Sequence, residues 1–129
     1  MYSYHLWIVL AESTQENDIG GLQDKINGLR TLLAESLDTR PEHPIIKVNC
    51  DWLFQCSVSH NHKGDAQERL ESVLRWITRR LPGSYGLVYY RDDEDPREAN
   101  SYRVLVVSRG GVVERTDPFL SPVVPTIED

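Results

Sequence analysis

The stretch YSYHLWIVL, residues Tyr2–Leu10, predicts a β-strand inside a sheet. One set of alternate positions is entirely aromatic or aliphatic, and the other set includes Trp7 and Val9. Because successive side chains of a strand point to opposite faces, both faces of this strand are fairly apolar. That pattern is typical of a central strand, and we expect it to be covered on at least part of each face.

Two segments further along the chain repeat apolar residues at spacings of three and four. The first stripe runs from Ile19 to Leu37 and the second from Ala66 to Leu81. Each stripe lies on one face of a helix, which predicts two amphipathic helices packed against the sheet. Asp65 and Glu68 have the spacing of a capping box, so we expect the second helix to begin there.

The remaining segments predict four further strands and a tail. The strands are Ile45–Cys50, Trp52–His60, Tyr85–Tyr90 and Tyr102–Arg109. We expect Gly110–Gly111 to turn the chain, and because the residues after it contain three prolines, we expect an extended Pro-rich C-terminal tail that packs Phe119 and Leu120 against the body. The order β-α-β-β-α-β-β predicts an α+β fold, an antiparallel sheet with two helices in a ferredoxin-like (split βαβ) arrangement.

Length and composition set the class of the protein. The 129 residues suit a single domain spanning 1–129. No apolar run approaches the roughly 20 residues of a membrane span, so we expect no membrane partner. The amino-terminal stretch lacks the basic start and cleavage site of a signal peptide, and the chain has only two cysteines, which together predict a cytoplasmic protein.

The net charge of −6 is concentrated in three segments. Residues 11–24, 91–100 and 110–129 carry local charges of −4, −3 and −3, so the rest of the chain is net positive. This balance argues against direct nucleic-acid binding, which needs clustered Lys and Arg. The segments are either separate solvated loops or parts of one acidic patch that recruits a basic partner.

No residue cluster predicts catalysis, a metal or a cofactor. His60 and His62 lie two apart, but the zinc spacing of cysteines is absent. The acidic run Asp92–Asp95 lacks the alternating ligands and central glycine of a calcium loop. A nucleophilic pair of Cys56 and His60 is sterically conceivable, although a free cysteine is more often a small core residue.

Five motifs give the chain a family resemblance. They are YHLWIVLAES (Tyr4–Ser13), NH (Asn61–His62), PGSYGLVYYRDDED (Pro82–Asp95), RGG (Arg109–Gly111) and DPFLSPVVPTIED (Asp117–Asp129). In this order they resemble the immunity protein 7 family, and the two long C-terminal motifs are the most specific. Residues 14–58 match the family only in pattern, so we expect this stretch to hold much of the specificity.

The resemblance implies a function as well as a fold. Members of that family are immunity proteins of bacterial polymorphic toxin and contact-dependent growth inhibition systems. Each is encoded beside a toxin and binds the toxin's C-terminal domain in the cytoplasm. The resemblance therefore implies a toxin inhibitor that acts by stoichiometric binding, with neither catalysis nor cofactor. An acidic inhibitor suits a nuclease toxin with a basic substrate groove.

The resemblance and the charge pattern together select candidate toxin-binding residues. The first set is the run from the end of a strand into the acidic loop: Tyr90, Arg91, Asp92, Asp93, Glu94 and Asp95. Glu128 and Asp129 form a second set, and Trp76, which lies off the apolar stripe of its helix, is a candidate anchor. The loop has a competing interpretation, in which it maintains the fold and Arg91 pairs with a nearby acid.

Two other functional classes compete with toxin inhibition. One is a small hydrolase-like enzyme that uses His60 or His62, and the other is a ligand-binding regulatory module with an apolar pocket. Within the leading hypothesis, inhibition either occludes the toxin's active site or acts beside it. The sequence pattern favours no particular oligomeric state.

Overall fold

The computed structural model describes residues 1–13, 21–37 and 45–128 and has an α+β fold. Its two helices and six strands follow the order β-α-β-β-α-β-β-β. In chain order the elements are β1 (Tyr2–Leu10), α1 (Leu22–Ser36), β2 (Ile45–Val48), β3 (Asp51–His60), α2 (Ala66–Arg80), β4 (Tyr85–Asp92), β5 (Arg103–Ser108) and β6 (Gly111–Thr116).

The six strands form one antiparallel sheet in the order β2-β3-β1-β4-β5-β6. Strand β1 is paired along nearly its full length on both sides, with Tyr2 opposite His60 of β3 and Asp92 of β4. The prediction that Tyr2–Leu10 is a central strand is confirmed. Helix α1 connects β1 to β2 and helix α2 connects β3 to β4, because each of these pairs is parallel with another strand between its members and a tight turn cannot join it.

The core lies between one face of the sheet and the two helices. Alternate residues of β1 are buried, and the positions that share their face are buried or half-buried on β3 and β4. The apolar stripes of both helices complete the cluster, as the periodicity predicts. Its largest fully buried side chains are Tyr2, Tyr4, Ile8, Ile26, Leu29, Leu33, Phe54, Leu70, Val73, Leu74, Ile77 and Leu81.

The opposite face of β1 is covered only in part. No helix or strand of the described residues covers it, and Trp7 is 42% exposed. His5 on this face bonds the hydroxyl of Ser57 across to β3, with 2.8 Å between Nδ1 and Oγ. Ser3 and Val9 on this face are half-buried, which agrees with the expected partial cover, and the rest is exposed because both helices pack on the other side of the sheet.

The sixth strand, β6, was absent from the predicted order. The residues after the predicted Gly110–Gly111 turn were expected to form one extended tail, yet Gly111–Thr116 pair with β5. The three prolines that argue against a strand all lie after residue 117, whereas Val112, Val113 and Thr116 are β-branched residues that favour one. The hairpin turn is Arg109–Gly110, both with positive φ, one residue before the predicted Gly110–Gly111.

Helix α2 begins without the predicted capping box. The side chain of Asp65 makes no capping hydrogen bond and instead pairs with Arg69, with 3.2 Å between Oδ1 and Nε. The predicted start of the first helix near Ile19 lies outside the described residues. Within the described part of the chain, neither helix has the length and apolarity needed to cross a bilayer.

The C-terminal segment 117–128 has no helix or strand, and polar bonds hold it in place. The side-chain amide of Asn100 accepts bonds from the N–H groups of Val123 and Val124 and donates to the carbonyl of Val124, at 2.9–3.0 Å. Phe119 and Leu120 are 70% and 54% exposed. The predicted packing of these two side chains on the body was therefore wrong, because backbone and side-chain hydrogen bonds fix the segment without burying them.

The start of β4 lies unusually close to β1. A Cβ atom on Gly86 would lie 2.0 Å from the carbonyl oxygen of Trp7 and 2.6 Å from the Cα of Ile8. The buried hydroxyl of Ser84 contacts both backbone groups of Ala11, at 3.1 Å from its nitrogen and 3.4 Å from its oxygen. This first part of the motif PGSYGLVYYRDDED therefore maintains the sheet.

We predict opposite effects from adding the same methyl group at two glycines. Gly86→Ala should lower the free energy of unfolding by about 3 kcal/mol, because the methyl group meets rigid backbone. Gly28→Ala should raise it by up to about 1 kcal/mol, because alanine favours helix α1. There the new Cβ meets only the Trp76 ring, at 3.4 Å. Urea unfolding of both variants checks this, and a Gly86→Ala protein as stable as the wild type would contradict it.

Candidate functional site

A cleft of about 210 Å³ opens between the amino-terminal end of α2 and the adjacent ends of β4, β5 and β6. We call it the acidic cleft, since four carboxylates line it against two cationic side chains. Its lining residues are Lys63, Gln67, Tyr90, Asp92, Asp95, Glu98, Arg103 and Glu114.

Strand register explains why these side chains meet. Tyr90 and Asp92 are two apart on β4 and therefore point to the same face of the sheet as the buried core. Antiparallel pairing sets Arg103 of β5 opposite Tyr90, and Thr116 of β6 opposite Arg103. Glu114, two residues before Thr116, shares that face. The cleft thus lies where the helix layer ends and the sheet continues.

A hydrogen-bonded network joins three strands on the cleft wall. The phenol of Tyr90 donates to Glu114, and the guanidinium of Arg103 contacts Glu114 at 3.2 Å, Glu98 at 3.4 Å and the hydroxyl of Thr116 at 2.7 Å. The bond from Tyr90, with the contact to Arg103, lowers the pKa of Glu114 below its ordinary value. Burial, with the bond to Glu114, raises the pKa of Tyr90 to about 12.

The loop that closes the cleft is held by its own residues. Arg91 donates two bonds to the carbonyl of Ala99, at 3.2 Å and 3.1 Å. The carboxylates of Asp92 and Asp95 accept the backbone N–H groups of Glu94 and Arg97, at 3.1 Å and 3.0 Å. Arg91 therefore stabilises the loop, as the competing interpretation expected, but through a carbonyl oxygen and not through an acid.

Asp93 and Glu94 lie beside the cleft and not in its lining. The amino group of Met1 pairs with Asp93, and this hydrogen bond lowers the pKa of Asp93. Nδ1 of His62 lies 2.7 Å from Glu94, and that bond lowers the pKa of Glu94. The structure therefore brings Tyr90, Asp92 and Asp95 together and places the two intervening acids at the rim.

The other candidate residues lie away from the cleft or outside the described residues. The Trp76 ring packs near Gly28 of α1, with the guanidinium of Arg80 5.2 Å from its centroid. It is nine residues from Gln67 along α2, about 13 Å along the helix axis. The Glu128 carboxylate accepts a hydrogen bond from the backbone N–H of Ser121. This bond lowers the pKa of Glu128 and links the two ends of the stretch 121–128. Asp129 lies outside the described residues.

Five lining residues were not among the sequence candidates. Lys63 and Gln67 precede and begin α2, and sequence patterns give no signal that α2 starts beside the acidic loop. Glu98 lies within that loop, Arg103 follows it at the start of β5, and Glu114 lies on the unpredicted strand. Recognition of RGGVVERT as the turn and second strand of a hairpin would have placed Glu114 beside β5.

Two of the three acidic segments converge, as one interpretation of the charge pattern predicted. Asp95 and Glu98 come from residues 91–100, and Glu114 comes from residues 110–129. Glu12, from the first segment, follows the carboxyl end of β1 and pairs with Lys25 at 2.8 Å. The cleft adjoins the opposite end of β1, about 30 Å away for a strand of this length.

The histidines and cysteines that the structure describes do not assemble a reactive centre. Burial raises the pKa of the Cys56 thiol to about 12, so little thiolate exists at neutral pH. Cys56 and His60 are four residues apart on β3, about 13 Å, which rules out the nucleophilic pair. Among the described residues, no group of three or more His, Cys, Asp or Glu side chains could hold a metal ion.

One of three comparisons with known proteins gives a match. The family model described as immunity protein 7 matches residues 1–129, which is the whole chain. A search of curated proteins finds no match. A search of solved structures finds none either.

We predict that Tyr90→Phe raises the pKa of Glu114 toward its unfolded value of about 4.3. A carboxylate with a lowered pKa in the folded state stabilises the protein above that unfolded value, and this contribution is lost as the pH falls through the folded pKa. The variant's loss of unfolding free energy relative to the wild type should therefore be largest near neutral pH and should shrink as the pH falls. NMR titration of the Glu114 carboxyl carbon and pH-dependent urea unfolding measure both effects.

The control for this prediction is Tyr85→Phe, the same chemical change at the exposed opposite end of β4. It should leave the pKa of Glu114 unchanged. An unchanged Glu114 pKa in Tyr90→Phe would show that the phenol bond does not control this carboxylate.

Proposed function

Because the chain belongs to the immunity protein 7 family, we propose that it neutralises a cognate bacterial toxin by stoichiometric binding of the toxin's C-terminal domain, without catalysis. The toxin system would be a polymorphic-toxin or contact-dependent growth inhibition system, and binding would take place in the cytoplasm. The observation that carries this proposal is the acidic cleft, where two acidic segments on either side of β5 meet on one surface.

The charges of the cleft support a basic partner. Four carboxylates and two cations leave a net charge of −2 on its walls. The Asp92 side chain is 16% exposed, so its carboxylate is partly screened from water by the fold. A concave acidic surface concentrates the field, which accelerates encounter with a positively charged protein and disfavours acidic ones.

The rigidity of the cleft supports binding without large rearrangement. Arg91, Asp92 and Asp95 anchor the loop to its own backbone, and Tyr90 with Arg103 anchors Glu114. Carboxylates fixed in this way lose little conformational entropy when a cation binds. Maintenance of the loop and contact with the toxin are therefore compatible roles of the same residues.

The toxin that best complements this surface is a nuclease. Its substrate groove must be basic to bind phosphates, so an acidic inhibitor can cover the groove or bind beside it. In our proposal Asp92 and Asp95 contact the toxin directly. Asp93 and Glu94 add to the negative electrostatic field at the rim of the cleft. Trp76, Glu128 and Asp129 are secondary candidates for contact with the toxin.

We also propose that the first four strands and both helices form a ferredoxin-like unit within a single domain, to which β5 and β6 are added. The order β2-β3-β1-β4 with two crossover helices supports this assignment. The addition matters for function, because β5 and β6 supply Arg103 and Glu114 to the cleft.

We predict that neutralising the cleft slows association with the toxin domain. The triple variant Asp92→Asn, Asp95→Asn, Glu98→Gln removes three charges while preserving side-chain size and acceptor oxygens. Its association rate should fall about tenfold at low salt, and the difference should shrink at high salt. Stopped-flow or biolayer interferometry with the purified toxin domain encoded by the neighbouring gene measures both rates.

The matched control changes the net charge equally elsewhere. Glu12→Gln, Asp24→Asn and Asp51→Asn lie after β1, at the start of α1 and at the β2–β3 turn, near the Leu10 end of β1 and away from the cleft. This control should change the association rate by no more than about twofold, since the altered charges lie beyond a Debye length of roughly 10 Å. Equal slowing by both triple variants would mean that net charge matters and the cleft does not.

A further inference from the structure

Strand β6 ends the sheet with an unpaired edge. Among the described residues no strand pairs with its outer side, and all six of its residues are exposed. An exposed edge strand presents free backbone donors and acceptors, which natural proteins usually protect or use for binding. The residues of β6 that offer these groups can be identified from the hairpin geometry.

The two-residue turn fixes which backbone groups point outward. In such a hairpin the pair beside the turn, Ser108 and Gly111, is hydrogen-bonded, and bonded pairs then alternate. The bond from Asp117 N–H to the Tyr102 carbonyl, at 2.9 Å, continues the same phase beyond the strand. The N–H and C=O groups of Val112, Glu114 and Thr116 consequently point away from β5.

The side chains of the same three residues lie on the face that carries the acidic cleft. Glu114 lines the cleft, and Val112 and Thr116 are two residues to either side of it. A strand added to this edge would place alternate side chains on that face, next to Glu114. The residue directly opposite Glu114 would lie within reach of its carboxylate, as cross-strand neighbours do.

A second copy of the chain is a poor occupant of this edge. An antiparallel self-pairing that engages residues 112–116 completely would set Glu114 opposite its own copy. Like charges directly opposite each other destabilise a strand pair. Pairing with a strand that carries a cation at this position has the reverse effect, because it adds a counter-charge to the net negative cleft.

We propose that the free edge of β6 pairs with a β-strand of the cognate toxin domain, which carries a lysine or arginine opposite Glu114. The proposal rests on the toxin-binding function proposed above and specifies the mode of contact. Backbone bonds to Val112, Glu114 and Thr116 align the toxin strand, and its cationic side chain enters the acidic cleft. The exposed Arg115 side chain, now 3.2 Å from the Glu114 carbonyl, gives way to a backbone N–H of the toxin.

The test removes one backbone N–H of β6 that points away from β5, and it leaves the hydrogen bonds between β5 and β6 in place. Val112→Pro deletes an N–H that points to the free edge, and Val112→Ala retains that N–H while shortening the side chain. Lys47→Pro is the matched edge variant, because Lys47 has the same outward phase on β2 at the other side of the sheet. Affinity for the purified neighbouring toxin domain is measured by calorimetry.

We expect Val112→Pro to weaken binding about tenfold or more, because a toxin carbonyl loses its donor. Val112→Ala and Lys47→Pro should each change affinity by no more than about threefold. In the wild-type complex, hydrogen exchange should slow at the amides of Val112, Glu114 and Thr116. This second measurement decides the question even if Val112→Pro does not fold.

Each contrary result has a separate meaning. If the wild-type protein fails to bind the toxin domain, the proposed function itself is overturned. If it binds, but Val112→Pro binds equally well or the three amides exchange unchanged, the edge is not the contact and the function stands. Light scattering could also show that the wild-type protein is a dimer and that Val112→Pro is a monomer. That result would assign the edge to a second copy of the chain and overturn the proposal that a toxin strand pairs with β6.

Discussion

The pairing of β1 on both sides is the constraint on which the rest of the structure depends. Because β3 and β4 both pair with it, the connections β1-α1-β2 and β3-α2-β4 each cross one intervening strand. Right-handed crossovers then put both helices on the same face, where their apolar stripes cover alternate residues of β1. The close approach of Gly86 to Trp7 and the contacts of Ser84 with Ala11 fix where β4 begins. The register from that point brings Asp92 to the level of Tyr2, so the position of the acidic loop follows from the central strand.

The elements that could be predicted from the sequence are those with a strong period. The alternation of Tyr2–Leu10 and the stripes of α1 and α2 reflect burial, and burial is what hydrophobic patterns record. Strand β6 escaped prediction because it is exposed on every residue and carries no such pattern. The C-terminal segment was misjudged for a related reason. Its apolar residues suggested packing, but the amide of Asn100 and other polar groups hold it, which composition does not reveal.

The sequence predicted only those residues of the candidate site that are neighbours along the chain. The acidic run and its neighbouring Tyr90 stand out in sequence, and the structure places three of those residues in one cleft. Lys63, Arg103 and Glu114 join them through strand register and helix placement, which depend on contacts between distant segments. The sequence also did not reveal that the two halves of one motif have different roles. In PGSYGLVYYRDDED the first half fits the start of β4 closely against β1, while the second half lines or borders the cleft.

The hairpin turn between β2 and β3 has a practical consequence for measurement. Cys50 is exposed there, whereas the partly buried Cys56 has a pKa raised to about 12 and reacts poorly with thiol reagents. A maleimide dye should therefore label Cys50 selectively. The turn adjoins the Leu10 end of β1 and the cleft adjoins the Tyr2 end, roughly 30 Å apart. The native chain thus already contains one attachment point for a fluorophore or surface tether that leaves the cleft and β6 unobstructed.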